Sequence, residues 1–238
     1  MKNNALHCLV LAGVLMTPVT ALANEHNPKL ILQITVDGLR GDLLERYKAN
    51  FGEDGFRYLM EDGTYYTNAH YQHGNTETIV GHVSLATGAP PGVHGMVGNV
   101  WYDRNEERLV YNVEDGNYSM LTSGAGVNKS TEIDPTQKVT TQDGRSPEPI
   151  LSTTFSDELA IASNGESKIF SVSVKDRGAI SLGGHSGKAF WFSKAQSEFV
   201  TSNYYYDEYP AWVTTWNQQK VPNQYSGKKW ALSLPEDK

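Results

Sequence analysis

Lys29-Leu30-Ile31-Leu32-Gln33-Ile34-Thr35-Val36 is a near-continuous apolar run that stops at Asp37-Gly38. Ile, Leu and Val on successive positions predict a strand buried on both faces, the pattern of parallel sheets. Beyond it Leu43, Leu44, Tyr47 and Phe51 recur at helical spacing, so a helix is expected over residues 40–50. Phe56, Leu59 and Met60 predict a second short helix, and Thr64 to Tyr71 a strand. Strand followed by helix at this spacing begins an α/β fold, with a mostly parallel central sheet flanked by helices.

Further along, Thr78 to Leu85 reads as a helix entered from Asn75 as its cap, and Gly88-Ala89-Pro90-Pro91-Gly92 as a turn. Residues 112–147 are polar and rich in Gly, Asn, Ser and Thr, and read as a long surface insertion. Ile150, Leu151, Phe155, Leu159 and Ile161 fall in helical phase, and Ile169 to Val174 is a second good strand, ending at Lys175-Asp176-Arg177. From Tyr204 onward Tyr and Trp mix with Pro and polar residues without periodicity, and Leu234 to Lys238 reads as a loop.

On the other side of the opening run, Met1-Lys2-Asn3-Asn4, an apolar stretch from Leu6 to Met16 and the small-x-small Ala21-Leu22-Ala23 form a secretory signal peptide, residues 1–23. The stretch is shorter than the ~20 residues a spanning helix needs. Cys8 precedes Leu11-Ala12-Gly13 rather than following it, which argues against a lipidated cysteine. The expectation is an exported chain, periplasmic or secreted, with no membrane contact after cleavage. The whole chain of 238 residues has 20 Lys plus Arg against 27 Asp plus Glu. Without the leader it has 19 against 27, a net of −8 (19 − 27), and no cysteine. Such a chain has no disulfide framework and is not built to live on nucleic acid phosphates.

The candidate chemistry is modest residue by residue. Asp37 ends the first apolar run at the sheet edge where open α/β folds place ligands, and reads as a metal ligand or as a helix cap. Thr78 starts a helix, where free N–H groups favour negative charge; its hydroxyl is a cap or, with a base or metal beside it, a nucleophile. Thr76 competes for either role. Asn99 is a turn residue or a neutral donor to an oxyanion. Lys175 and Arg177 are a surface charge pair or two cations aimed at one anion. No histidine pair has the spacing of a helical zinc motif, and the histidines read as structural or exposed.

Taken in order, these pieces resemble the alkaline phosphatase superfamily, and within it the secreted, zinc-dependent phosphate monoesterases with a threonine nucleophile. The resemblance runs through Ile34-Thr35-Val36-Asp37-Gly38, Asn75-Thr76-Glu77-Thr78-Ile79-Val80-Gly81-His82, Ala86-Thr87-Gly88, His94 to Asp103, Ser173 to Arg177 and Gly183-Gly184-His185. It implies an alkaline-phosphatase-like fold acting on small phosphate esters. Asp37 and Thr78 would be metal ligands of a two-zinc site, with Thr78 the nucleophile that forms a covalent phosphoryl intermediate. Asn99, Lys175 and Arg177 would stabilise the phosphoryl oxygens. The cation pair favours dianionic monoesters; a phosphodiesterase or nucleotide pyrophosphatase of the same superfamily is the alternative, and a non-catalytic phosphate-binding remnant is another. The further Asp and His ligands of such a site lie far downstream of the cation pair in the family. Here His185 is the only later histidine, so the chain is expected to be the N-terminal part of a longer phosphatase, incomplete at its C-terminus and poorly active alone.

Overall fold

A computed structural model of the chain describes residues 28–232. The signal-peptide reading of residues 1–23 and the loop reading of 234–238 lie outside the described residues. The chain divides into two units, one ending at Ile34 and the other beginning at Thr35.

Residues 29–36 do not form the expected strand. They have no ladder partner, and Leu30, Leu32 and Ile34 are exposed. A strand buried on both faces exists only where neighbouring strands take its N–H and C=O groups and helices cover it, and none of the described strands does so. Thr64 to Tyr71 is likewise not a strand but irregular chain. Between them α1 (Leu43–Tyr47) continues into a 3-10 turn (Lys48–Asn50), and α2 (Phe56–Asp62) follows, both where the apolar spacing puts them.

Burial begins with α3 (Thr78–Thr87), whose Ile79, Val80, Val83 and Ala86 enter the core. Its cap is Glu77 rather than Asn75: Asn75 stands further out, accepting the Glu77 N–H and donating its own amide to the Val97 carbonyl at 2.8 Å. Gly88, at φ +66°, closes the helix in the left-handed conformation that glycine adopts without strain. What reads as a turn at 88–92 then becomes a one-turn helix, α4 (Pro91–His94), with proline at its start.

β1 (Val100–Asp103) and β2 (Arg108–Tyr111) pair as an antiparallel hairpin. The stretch 112–147 holds one 3-10 turn (Gln137–Val139), yet it buries Asn112, Val113, Arg145 and Ser146. α5 (Phe155–Ala162) opens with a capping box. Thr154 accepts the Asp157 N–H, and Asp157 accepts the Thr154 N–H.

The main sheet is three-stranded. β3 (Phe170–Ser173) pairs parallel with β4 (Lys188–Ser193), and β4 pairs antiparallel with β5 (Glu198–Val200). A parallel pair needs a crossover, supplied by α6 (Asp176–Gly183). β4 is the buried centre: Ala189, Phe190 and Trp191 are all within the core. α6 packs on β3, β4 and α3, so Ala179 and Ile180 join Ile79, Val80 and Val83 in one cluster. The tail without periodicity contains α7 (Ala211–Gln218), whose Trp212 and Trp216 meet Phe190 and Phe199 edge-on. The result is a mixed α/β fold with its sheet flanked by helices.

Candidate active site

α3 packs on α6, the helix that β3 feeds. Thr78 is the first residue of α3, and its hydroxyl is half-buried and donates to Asp37 Oδ2 at 3.4 Å. Asp37 lies on exposed irregular chain. The same helix start fixes Asn99. The Ile79 N–H, one of the free donors of the first turn, donates to Asn99 Oδ1 at 3.1 Å. The Asn99 N–H donates to Glu77 Oε2 at 2.6 Å, and the Asn99 carbonyl accepts from Asn112 Nδ2 at 2.7 Å. With its oxygen held by a backbone N–H, the Asn99 side chain can present only its Nδ2 hydrogens elsewhere, and no described residue accepts them.

One turn into α3, His82 is buried close to both Asp37 and Arg177. Burial lowers its pKa below the ordinary histidine value; Asp37 and the Thr78 backbone pull the other way, and Arg177 adds to the lowering.

On the cation side, Lys175 is the extended cap of α6 and Arg177 sits in its first turn. The change from extended to helical backbone brings two side chains one residue apart to one point. Lys175 Nζ and Arg177 Nη1 both meet Asp134 Oδ2, the latter at 3.2 Å. Burial pushes the Asp134 carboxyl pKa up, but hydrogen bonds from Lys175 and Thr136 outweigh it and hold the group well below the usual carboxylate range. Between the two cations, Asp176 is wholly buried. It accepts Arg145 Nε at 2.6 Å, the Tyr111 hydroxyl at 2.7 Å, Gln137 Nε2 at 3.1 Å and the Arg177 N–H at 2.8 Å. A buried charge with four donors and a paired guanidinium is compensated, and its pKa falls despite burial because Arg145 and Tyr111 favour the ionised form.

His185 lies on a separate knot. Its Nδ1 meets Asp157 Oδ2 at 3.0 Å and its Nε2 meets the Ile150 carbonyl at 3.0 Å. Gly184 precedes it at φ +62°, and a Cβ there would fall 2.1 Å from Thr154 Oγ1, so both backbone and space demand glycine. At the far end of α3, His73 Nε2 and His94 Nε2 converge on Ser84 Oγ at 3.1 and 3.0 Å. Neither histidine is free for a metal: His94 Nδ1 accepts the Met96 N–H, which leaves its Nε2 as a donor.

Asp37 and Thr78 therefore meet, Asn99 braces the same helix start, and Lys175 and Arg177 share one carboxylate. A catalytic zinc takes about three protein ligands, usually nitrogen or carboxylate oxygen. Among the described residues no three His, Cys, Asp or Glu converge, and Asp37 with the Thr78 hydroxyl supplies two oxygens. These donors do not make up a zinc site. Sequence reasoning missed Asp134, Thr136, Tyr111 and Arg145. Asp134-Pro135-Thr136 carries a turn signal. Nothing in it points to residues 175 and 177.

The sequence signature of type I phosphodiesterase / nucleotide pyrophosphatase matches residues 31–238. Alkaline phosphatase PafA of Elizabethkingia meningoseptica is 35% identical over 98% of this chain and 40% of its own length. Alkaline phosphatase PhoV of Synechococcus elongatus is 37% identical over 87% of this chain and 35% of its own. A crystal structure of a PafA variant, with one threonine, one asparagine, one lysine and one arginine replaced, superposes with a TM-score of 0.73 at 34% identity, covering 84% of this chain and 36% of that one. The chain thus spans well under half the length of these relatives. A family signature over nearly all of the described residues, with a shared fold at this identity, settles the affiliation: the chain belongs to the type I phosphodiesterase / nucleotide pyrophosphatase family, within the alkaline phosphatase superfamily.

Proposed function

We propose that this chain carries the nucleophile and the oxyanion-binding side of a phosphate-monoester hydrolase that works through a phosphothreonine on Thr78. The observation that carries the reading is the start of α3, where the Thr78 hydroxyl is bonded to Asp37 and Asn99 is held by its oxygen with its N–H groups turned away from that bond. The Thr78 oxygen bonds to phosphorus as the ester oxygen departs with its electron pair; the hydroxyl proton passes to Asp37 and on through solvent to the departing oxygen, which leaves as the alcohol. Water then attacks the phosphothreonine, its oxygen ending on inorganic phosphate and its proton restoring the Thr78 hydroxyl. Asn99 donates to a non-bridging oxygen, and the helix start favours the anion in its ground and transition states. Lys175 and Arg177 add positive charge. A dianionic monoester gains more from that charge than a singly charged diester does.

Names of relatives support the same reading: PafA and PhoV are called alkaline phosphatases. The family signature also bears the name of phosphodiesterases and nucleotide pyrophosphatases, which makes diester hydrolysis the second reading. Zinc, expected from the resemblance, would need donors beyond Asp37 and Thr78. Export to a periplasm or beyond rests on the leader at residues 1–23; among the described residues no helix is long and apolar enough to cross a membrane.

The test is hydrolysis of p-nitrophenyl phosphate and of bis-p-nitrophenyl phosphate, with and without added zinc, by the 238-residue chain and by a longer protein that contains it. Thr78→Val is expected to lower monoester turnover by at least about 100-fold, as loss of a nucleophile does. Lys175→Ala should reduce monoester turnover more than diester turnover. Turnover that survives Thr78→Val rejects the nucleophile, and a larger loss on the diester reverses the substrate choice.

A further inference from the structure

The polar stretch before α5 delivers a single carboxylate to both cations, and the way it does so leaves one edge of Arg177 unpaired. Asp134 Oδ1 accepts the Thr136 N–H at 2.9 Å and the Thr136 hydroxyl at 2.7 Å, which fixes the carboxylate on its own loop. Its Oδ2 takes Lys175 Nζ and Arg177 Nη1. The same Nη1 donates to Thr136 Oγ1 at 3.1 Å and reaches the Tyr111 hydroxyl oxygen at 3.4 Å. Three oxygens thus gather around one nitrogen of the guanidinium. The opposite edge is different: Nε is buried without a partner, on a side chain only 5% exposed, and none of these bonds uses Nη2. A buried N–H left unpaired is costly. The Nε–Nη2 edge is also the fork that matches two oxygens of an oxyanion.

We propose that Asp134 is a positioning residue for phosphate. It holds Arg177 by Nη1 and Lys175 by its ammonium, so that the Nε–Nη2 edge of Arg177 stays unpaired for two phosphoryl oxygens. This rests on the reading of Arg177 as a phosphoryl contact. It adds the residue that aims the guanidinium and the edge that does the binding. Asp134 is not a substitute for the anion, because it occupies the other edge and is itself tied to Thr136. Its one negative charge also leaves the pair with a net charge of one, so an incoming phosphate meets an aimed donor fork rather than a diffuse cationic patch.

The experiment follows the Arg177 Nε–Hε signal in the 15N-arginine-labelled 238-residue chain during titration with inorganic phosphate, the signal being assigned with Arg177→Lys. The expected result is a displaced Arg177 signal on binding. Asp134→Asn should weaken phosphate by on the order of tenfold, the scale on which removal of an outer partner weakens a bound ion. In the Arg177→Lys chain the same Asp134→Asn change should cost less than about threefold, because the group being aimed is gone. A generally loosened fold would weaken binding equally in both backgrounds, which overturns the proposal. So does unchanged or tighter phosphate binding by Asp134→Asn, which would make Asp134 a competitor, and so does an Arg177 signal that phosphate leaves unmoved. If Asp134→Asn does not fold, Thr136→Val removes one of the oxygens on Nη1 and one tie to Asp134. A weakening of several-fold is then expected, and none overturns the proposal. The hydrolysis reading fails separately, when the longer protein does not cleave the monoester while the Arg177 signal still answers to phosphate.

Discussion

The two halves of the candidate site sit in regions built to different standards. From residue 28 to residue 77 no side chain is fully buried, and Leu30, Leu32, Ile34, Tyr58, Leu59 and Tyr66 lie open to solvent. Asp37 belongs to that region. From Ile79 onward the chain has a core, and Arg177 is buried in it, tied to Asp134, Thr136 and Tyr111. A side chain is aimed only as well as the packing beneath it. The cation side is held in place by residues of this chain; the aspartate side has the right partner, Thr78, but lies on a segment with no fully buried side chain.

The contrast can be broken or sharpened by measurement. The largest effect is expected at Arg145. Arg145→Met leaves the buried Asp176 carboxylate without its guanidinium and should lower stability by about 3–5 kcal/mol, read as the urea midpoint. A small change would mean that the corner is less closed than its burial indicates. Next, Tyr111→Phe removes one hydrogen bond to the same carboxylate and should cost about 1.5–3 kcal/mol in the same assay.

A pH scan of stability addresses the same region. The Asp157 carboxyl is raised by burial but held low by His185 and Thr154, so its contribution is complete above the ordinary 3.8 and is lost as pH falls below it. The His185 pKa is raised by Asp157, so its contribution is complete below the ordinary 6.5 and is lost as pH climbs through the folded value. The pair therefore supports the fold most between those limits, and Asp157→Asn should flatten both shoulders. The smallest effect is expected in the other region: Leu59→Ser and Tyr66→Ser should leave the urea midpoint unmoved. A clear loss in either would show that residues 28–77 are packed after all.

What the sequence discloses follows the same division. α2, α3 and β3 are legible because their apolar spacing coincides with real burial or with a local helical preference, and Lys175 and Arg177 are legible as a pair because they stand one residue apart at the end of that strand. The run at 29–36 has the composition of a central strand, but a strand depends on neighbours that composition does not contain. Lys188 to Ser193 carries no alternation because β4 is covered on both faces, and α7 hides in a Tyr- and Trp-rich tail whose packing on Phe190 and Phe199 is wholly tertiary. Asp134 was out of reach for a similar reason: its partners Lys175 and Arg177 are 41 (175 − 134) and 43 (177 − 134) residues away, and a turn signal does not say what the turn will touch.

Asp176 has a consequence for how the chain folds. Its carboxylate gathers Arg145, Gln137 and Tyr111, which precede it by 31, 39 and 65 residues. Closing loops of those lengths comes before any of these contacts can form, whereas α6 and β3 are neighbours in sequence. The knot around Asp176 should therefore tighten after the folding barrier has been crossed. Arg145→Met is then expected to speed unfolding in stopped-flow experiments while leaving the refolding rate nearly unchanged. A slowed refolding limb would place this carboxylate in the nucleus instead.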